Sequence, residues 1–176
     1  MLIAPYQVTA PALTGESCNQ SEALGSATWL WMQSERHRQA PIYALSSLLL
    51  PAIQQGRFVL VSTRGKPVLY MSWANFSVAA ERRYLDHPPG NMPQTDWNSG
   101  PRLWCLDWIA PFGHTRALTR LIRTWLMPDQ VVRALYHQGA SRGLRVISWH
   151  GINLSRQQMR AWLQSHPLAS PGSSDE

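Results

Sequence analysis

The chain has little of several features that would assign a protein class at once. Its 176 residues include two cysteines, Cys18 and Cys105, and one lysine, Lys66. Two cysteines at this distance give neither a disulfide framework nor the ligand spacing of a zinc site. No apolar run approaches the roughly 18 residues of a membrane-spanning helix, and the first residues lack the pattern of a signal peptide. We therefore expect a cytoplasmic protein without a transmembrane segment.

Acidic residues are scarce in the last third of the chain. Residues 114–174 carry eight arginines against Asp129 alone, whereas residues 1–113 carry eight basic and seven acidic groups. A surface of one sign attracts nucleic acid, anionic membranes and acidic proteins alike. The charge pattern predicts an anionic partner and leaves these three classes open.

Apolar residues are plentiful, at 44% of the chain, and nine residues are tryptophan. A chain of this length can bury a sizeable core as a single domain. Proline and polar residues are scattered through residues 1–22, and the C-terminus reads SPGSSDE. We therefore expect an irregular lead-in over 1–22, one domain over 23–166 and a flexible tail over 167–176.

Hydrophobic periodicity predicts an α/β domain with a mixed sheet. The predicted helices cover 24–34, 41–56 with a break at Pro51, 78–85 and 114–126, and the predicted strands cover 57–63, 67–77, 102–110, 131–137 and 144–151. Gly65 is suited to the turn of a hairpin between the first two strands, and 86–100 is expected to be a surface loop.

The predicted helix 114–126 has two contrasting faces. The helical spacing predicts a buried stripe of Leu118, Leu121, Ile122 and Trp125. Arg116, Arg120 and Arg123 fall on the opposite side, without an acidic partner at helical spacing. An amphipathic helix needs some polar face, but an all-arginine ridge also predicts docking of an anionic partner.

Asp107 is the most unusual residue of the predicted strands. The stretch LDWIAPFG places it between apolar positions on both faces of a strand that reads as central. A buried carboxylate costs several kcal/mol unless it is paired or hydrogen-bonded. The partner is either structural, an arginine or the amides of the following turn, or it is a catalytic group that the carboxylate orients.

His37 is the best candidate partner of Asp107. It lies in the polar connection MQSERHRQAP between two predicted helices, and Ser34 precedes it by three residues. A neutral histidine can act as a general base. Ser34 is either a helix-terminating residue or part of the same site.

Two other patterns carry less weight. GASRG, at 139–143, matches the G-x-S-x-G expression of a nucleophile elbow, but that motif requires a strand before it and a helix after it. Here a predicted strand follows, so we expect a hairpin turn. The six histidines show no metal-ligand spacing, and no metal site is predicted.

Several blocks together resemble the RTX toxin-activating lysine acyltransferases. They are LGSATWLWMQSERHR, LLPAIQQGRFVLV, PVLYMSWANFS, DWNSGPRLWCLDWIAPFG and, more weakly, RVISWHG, in the family's order between residues 24 and 151. The resemblance implies a GNAT-like N-acyltransferase fold, a homodimer and no bound cofactor.

The resemblance also implies an activity and three site residues. Members take a fatty acyl group from acyl carrier protein, whose acyl-phosphopantetheine is the donor substrate, and transfer it in the cytoplasm to internal lysines of an RTX protoxin. The family's histidine, aspartate and serine match His37, Asp107 and Ser34. We expect His37 to act as the general base, Asp107 to orient it, and Ser34 to position groups or to act as a nucleophile.

The sequence departs from the family pattern at two places. Gln39, Ala40 and Pro41 follow His37-Arg38, where an aromatic residue and a proline are common, and Pro101 stands where an acidic residue is common. The first change lies in the catalytic loop, so acyl-chain preference is expected to differ. A basic, tryptophan-rich nucleic-acid-binding module is the alternative function, and a family member that has lost catalysis is another.

Overall fold

Seven β-strands form the framework of the described part of the chain. The computed structural model describes residues 1–86, 92–136 and 145–169, and the strands within them are β1 (Leu2–Ile3), β2 (Tyr6–Thr9), β3 (Phe58–Thr63), β4 (Lys66–Phe76), β5 (Arg102–Ile109), β6 (Val131–Leu135) and β7 (Val146–His150). They follow one another in a single sheet in the order β1 to β7. β5 and β6 pair in parallel, whereas β1–β2, β2–β3, β3–β4 and β6–β7 are antiparallel pairs. The predicted mixed α/β sheet is confirmed.

Helices flank these strands along the sequence. They are α1 (Pro11–Thr14), α2 (Gln20–Gln33), α3 (Leu50–Gln54), α4 (Val78–Asp86), α5 (Thr115–Leu121) and α6 (Arg156–Ser165), with π-helical turns at Leu45–Leu49 and Ile122–Leu126 and a 3₁₀ turn at Gln94–Trp97. Within the described ranges, none of the helices has the length and apolar character needed to cross a membrane.

The chain divides into two compact units that interleave in sequence. The first unit comprises Met1–Trp73 and Leu106–Leu121, and the second comprises the described residues of Ala74–Cys105 and those from Ile122 onward. The first unit contains β1 to β3, most of β4, the end of β5 and helices α1, α2, α3 and α5. The three predicted site residues all belong to it.

Helix α2 carries the core of the first unit. The Asn19 side chain caps its start by accepting hydrogen bonds from the backbone N–H groups of Ser21 and Glu22 at 3.0 and 3.2 Å. The buried side chains around it come from α2, from the segment that contains α3 and from three strands: Ala23, Ala27, Leu30, Trp31, Ala44, Leu49, Ile53, Phe58, Tyr70 and Ile109. This core fixes the C-terminal end of α2, where the site begins.

Two predicted breaks occur where proline and glycine require them. Pro51 is the second residue of α3, where the helix changes from the π pattern of Leu45–Leu49 to the α pattern, so the expected break takes the form of a change in hydrogen bonding rather than an interruption. Arg64 and Gly65 adopt positive φ angles of 51° and 73° between β3 and β4. Two consecutive positive φ values are typical of the tight hairpin turn that was predicted.

A buried ion network organises the second unit. Glu81 of α4 is fully buried, and its Oε1 accepts hydrogen bonds from Trp104 Nε1 at 2.8 Å and Arg133 Nη1 at 2.6 Å. Its Oε2 accepts from Arg102 Nη1 and from the backbone N–H of Ala169. Two guanidinium groups thus pair with one carboxylate and satisfy its lone pairs, which makes its burial tolerable.

The same network corrects the prediction of a flexible tail from residue 167. Arg102 Nη1 also donates to the carbonyl of Pro167 at 2.6 Å, and Arg133 Nη2 donates to the carbonyl of His166. Residues up to Ala169 are therefore held against buried charges, which composition alone does not reveal. Residues 170–176 lie outside the described residues.

The prediction of an irregular lead-in over residues 1–22 is wrong. β1 and β2 form a hairpin, and β2 joins the sheet through pairs such as Val8 with Val61. Val8 is buried, and α2 begins at Gln20. The strands are short and lie next to prolines, so their alternation is too brief to recognise in sequence.

The helix predicted over 114–126 is regular only in its first half. From Ile122 the turns are π-helical, and Met127 N–H donates to the carbonyl of Ile122, five residues back. A π turn is wider than an α turn and displaces the residues after it from the expected faces. Trp125 is 63% exposed, so its predicted place on the buried stripe is wrong.

Candidate active site

The site begins where helix α2 ends. Ser34 caps this end in an extended conformation, with its N–H donating to the carbonyl of Trp31. The next turns are hydrogen-bonded in sequence, from His37 N to Ser34 O at 3.0 Å and from Ala40 N to His37 O at 2.8 Å. The polar segment after Gln33 thus folds into tight turns. They hold the side chains of Ser34 and His37 beside each other, with Oγ and Nδ1 2.9 Å apart.

Strand β5 supplies the second part of the site. Asp107 Oδ1 lies 3.2 Å from His37 Nε2, and the two side chains are only 14% and 10% exposed. The same carboxylate oxygen accepts a hydrogen bond from the backbone N–H of Trp108 at 3.1 Å. The expected proximity of His37 and Asp107 is confirmed, and the carboxylate has both an imidazole and an amide partner.

The contacts fix the tautomer of the neutral imidazole. An ionised carboxylate has no proton to donate, so Nε2 of His37 carries the ring proton toward Asp107. Nδ1 is then an acceptor, and the hydroxyl of Ser34 donates to it. The basic lone pair of the histidine therefore points at Ser34 Oγ, and contacts of 2.9 and 3.2 Å place the three side chains in a line.

Aromatic contacts hold the histidine ring in place. Trp31 is buried, and its ring centroid lies 4.9 Å from that of His37 with 33° between the planes. The neighbouring, tilted aromatic ring restricts rotation of the imidazole. The motif WLWMQSERH thus brings the histidine back onto the last turn of its own helix.

Tyr70 on β4 is a nearby group that sequence analysis missed. It is fully buried, and burial followed by the negative charge of Asp107 raises its pKa well above the ordinary value. The phenol therefore stays neutral at physiological pH. Alternation along β4 marks Tyr70 as buried but does not tell which residue of another strand lies near it.

The only lysine of the chain braces two segments that carry site residues. Lys66 Nζ lies 4.3 Å from the ring centroid of Phe112 and 5.5 Å from that of Trp29. Trp29 belongs to α2, which ends just before Ser34, and Phe112 follows Asp107 in the APFG loop. The two aromatic rings are 5.6 Å apart, so the ammonium group joins an aromatic pair.

The three arginines of the predicted ridge do not share one environment. Arg116 and Arg120 are exposed on α5, as predicted. Arg123 lies in the π-helical turn, is half-buried, and donates from Nε to the carbonyl of His150 at 2.6 Å. The prediction of one exposed ridge of three arginines is therefore wrong for Arg123, because the helix changes its hydrogen-bonding pattern just before this residue.

Two weaker patterns add nothing to this site. The GASRG segment, 139–143, lies outside the described residues. In the parts of the chain that the structure covers, no three histidine, cysteine, aspartate or glutamate side chains come together as a metal-binding group.

Comparison with known proteins identifies relatives of this chain. A profile of the RTX toxin acyltransferase family matches residues 16–150. The leukotoxin-activating lysine-acyltransferase of Aggregatibacter actinomycetemcomitans is 37% identical over 142 residues, which cover 81% of this chain and 83% of that protein.

Other relatives carry names that specify an acyl group. A protein-lysine myristoyltransferase of Escherichia coli is 38% identical over 136 residues, 77% of this chain and 79% of the relative. A protein-lysine palmitoyltransferase of Bordetella bronchiseptica is 37% identical over 146 residues, 82% of this chain and 78% of the relative. The chain therefore belongs to the RTX toxin acyltransferase family.

Proposed function

We propose that this protein transfers a fatty acyl group from acyl carrier protein to the ε-amino group of internal lysines in an RTX protoxin. The observation that carries the proposal is the line Ser34–His37–Asp107, with contacts of 2.9 and 3.2 Å. The names of the relatives support the acyl group and the lysine acceptor. A GNAT-like fold, a homodimer and a cytoplasmic location are part of the proposal. The mixed sheet is compatible with a GNAT-like fold, and the free thiols of Cys18 and Cys105 are compatible with a cytoplasmic location.

The chemistry requires a base. A substrate lysine has a pKa of about 10.4, so forming the free amine at pH 7 costs about 4.6 kcal/mol unless the site assists. In the proposed reaction the amine attacks the thioester carbonyl, a C–N bond forms, and the C–S bond to the carrier's phosphopantetheine breaks. The amine proton passes to His37, and the imidazolium then gives a proton to the departing thiolate, so the carrier leaves as a thiol.

The contact between Ser34 and His37 supports a route for the proton. Ser34 Oγ lies 2.9 Å from His37 Nδ1, and in the assigned tautomer its hydroxyl donates to the lone pair of that nitrogen. We place Ser34 as a positioning group whose oxygen receives the amine proton while its own proton passes to Nδ1. Asp107 keeps the opposite ring nitrogen protonated and stabilises the imidazolium that forms. The acyl-phosphopantetheine acts as a substrate of the carrier, and no cofactor resident in this protein is proposed.

A covalent route would use the same three residues. Ser34 would attack the thioester while His37 takes its proton, and lysine would then attack the acyl-serine ester. Ser34→Ala separates the two routes, because a positioning group can be replaced in part by water whereas a nucleophile cannot. We expect Ser34→Ala to retain measurable acylation and the wild type to accumulate no acyl-enzyme when the protein substrate is omitted, as measured by intact-mass spectrometry.

The nucleic-acid alternative finds little support in the aromatic residues. All nine tryptophans lie in the described parts of the chain, and Trp125 alone is exposed. Stacking on bases needs accessible aromatic faces along a basic groove. Most of the tryptophans are instead buried or half-buried in the fold.

The donor and acceptor are tested together by reconstitution. The protein is incubated with a candidate protoxin and with either acyl carrier protein or coenzyme A charged with the same fatty acid. We expect an increase in protoxin mass that peptide analysis assigns to lysines, and only with the carrier donor. Transfer to hydroxyl or thiol side chains, or equal transfer from both donors, would contradict the proposal.

A further inference from the structure

Three strongly exposed apolar side chains surround the catalytic turns in sequence. Met32 is in the last turn of α2, just before Ser34, and is 63% exposed. Ile42 and Tyr43 follow the His37 turns and are 84% and 75% exposed. Single exposed apolar residues are common on proteins, but three within twelve residues around a reactive site call for an explanation.

Backbone hydrogen bonds connect these residues to the catalytic side chains. The chain turns from Ser34 to His37 and from His37 to Ala40. It then turns again, with Ala44 N–H donating to Pro41 O at 2.9 Å and Leu45 N–H donating to Ile42 O at 3.1 Å. Ile42 and Tyr43 are therefore held in a hydrogen-bonded segment that continues directly from His37, rather than in a free loop.

The residues beneath this segment belong to the core. Ala44 and Leu49 are buried, and Leu45 and Leu48 are half-buried against the same cluster as Trp31 and Tyr70. The backbone around Ile42 and Tyr43 is thus anchored from below while their side chains face outward. An apolar surface that is fixed in place can bind a long chain without a large ordering cost.

The chemistry of the donor determines what must lie here. The carbonyl that reacts at Ser34 and His37 is covalently joined to the acyl chain, so the first methylenes of that chain must run along the surface next to these residues. We propose that Met32, Ile42 and Tyr43 form the surface that binds the fatty acyl chain and selects its length. This proposal rests on the proposed function.

The size of the effect follows from the burial of methylene groups. Each methylene removed from water improves binding by about fourfold. A palmitoyl chain reaches farther from the carbonyl than an octanoyl chain and covers more of Ile42 and Tyr43. Removal of the Ile42 and Tyr43 side chains should therefore lower kcat/KM for palmitoyl carrier protein more than kcat/KM for octanoyl carrier protein.

The test compares two donors on matched variants. The double variant Ile42→Ser/Tyr43→Ser is assayed with palmitoyl and octanoyl carrier protein. We expect its ratio of kcat/KM for palmitoyl over octanoyl to fall about tenfold relative to wild type. Tyr43→Phe, which keeps the aromatic area, should retain the wild-type ratio. The control Leu2→Ser/Val78→Ser also removes two exposed apolar side chains, from β1 and α4, and should change the ratio less than twofold.

Two results would overturn the inference while leaving the proposed function intact. One is an equal loss with both donors in a variant whose circular dichroism is unchanged, which would assign the residues a role unrelated to chain length. The other is an unchanged ratio with dissociation of an oligomer on light scattering, which would assign the surface to a second copy. Absence of transfer by the wild type from either donor would instead reject the proposed function and this inference with it.

Discussion

Asp107 illustrates how far the energetics of one residue can predict a site. Its place between apolar positions implied a partner, and the structure supplies His37 Nε2 at 3.2 Å and the amide of Trp108. Burial cost alone did not choose between an arginine and a histidine; the polar loop made His37 the best candidate, and the resemblance singled it out. The direct contact from Ser34 to Nδ1 depends on the tight turns after α2, which sequence spacing does not specify.

Tyr70 gives a residue-scale prediction about stability and pH. Its pKa is raised in the folded state, so the unfolded chain ionises first as the pH rises above about 10. The folded state then binds more protons than the unfolded state, and stability is lost with a slope of up to about 1.4 kcal/mol per pH unit from this group. Below pH 9 the contribution of Tyr70 to the unfolding free energy does not change with pH.

Comparison of the wild type with Tyr70→Phe isolates the contribution of Tyr70 to the slope of the unfolding free energy against pH. Urea denaturation of both proteins at pH 8, 9, 10 and 11 should show a steeper fall of the unfolding free energy for the wild type above pH 10. Parallel curves for the two proteins would mean that Tyr70 does not titrate differently in the folded and unfolded states.

At the scale of elements, regular periodicity was predicted well and deviations from it were not. Strands β3, β4 and β5 and helix α2 follow patterns that are long enough to recognise. The π-helical turn at Ile122–Leu126 leaves no signal in the spacing of apolar residues, and it exposes Trp125. Helix α6 was missed although its signal is present, since Ser155 and Gln158 form a capping box.

The segment after β7 contains a glycine that we expect to be indispensable. A Cβ at Gly151 would lie 2.1 Å from the carbonyl oxygen of Pro128 and 2.2 Å from that of Met127. Both contacts are with backbone, which cannot rotate away. Gly151→Ala should therefore lower the unfolding free energy by about 4 kcal/mol in urea denaturation.

Gly25 provides the matched control for that substitution. It lies inside α2, and a Cβ there would meet no atom within 4 Å. Gly25→Ala should increase stability by about 0.5–1 kcal/mol because alanine favours the helix. Similar effects for the two alanine variants would show that the close backbone contact at Gly151 does not exist in solution.

The Glu81 network gives a second prediction at this scale. Glu81→Gln keeps the shape of the side chain but leaves Arg102 and Arg133 without their buried counter-charge. We expect a loss of about 3–5 kcal/mol in unfolding free energy. Glu16→Gln is the control, because Glu16 pairs with the N-terminal amine on the surface and should contribute less than about 1 kcal/mol. Equal stability of both variants would contradict the network.

At the scale of the whole molecule, the number of arginines in the sequence overstated how many of them face a partner. Of the eight arginines in 114–174, Arg133 is buried on Glu81 and Arg123 bonds a backbone carbonyl. Arg142 lies outside the described residues. The exposed ones are Arg116, Arg120, Arg145, Arg156 and Arg160. A sequence cannot separate arginines that neutralise internal acids from those that face a partner.

The prediction at the scale of the whole molecule concerns the docking of the acidic acyl carrier protein. We propose that Arg116 and Arg120 contact acyl carrier protein, since both are exposed four residues apart on α5. Arg116→Glu/Arg120→Glu should raise KM for the carrier about tenfold at low salt and leave kcat within twofold. The same reversal at Arg156 and Arg160 on α6 changes net charge equally and should leave KM within twofold. Equal effects of the two reversals would indicate a response to net charge alone.

The central claim is that His37, oriented by Asp107, is the base for acyl transfer to lysine. Its most direct test measures lysine acylation of the protoxin by mass spectrometry with wild type, His37→Ala and Asp107→Asn, each confirmed as folded. We predict no detectable acylation with His37→Ala and a loss of at least a thousandfold in kcat with Asp107→Asn, because the amide disturbs the ring tautomer. Wild-type rates with His37→Ala would contradict the account.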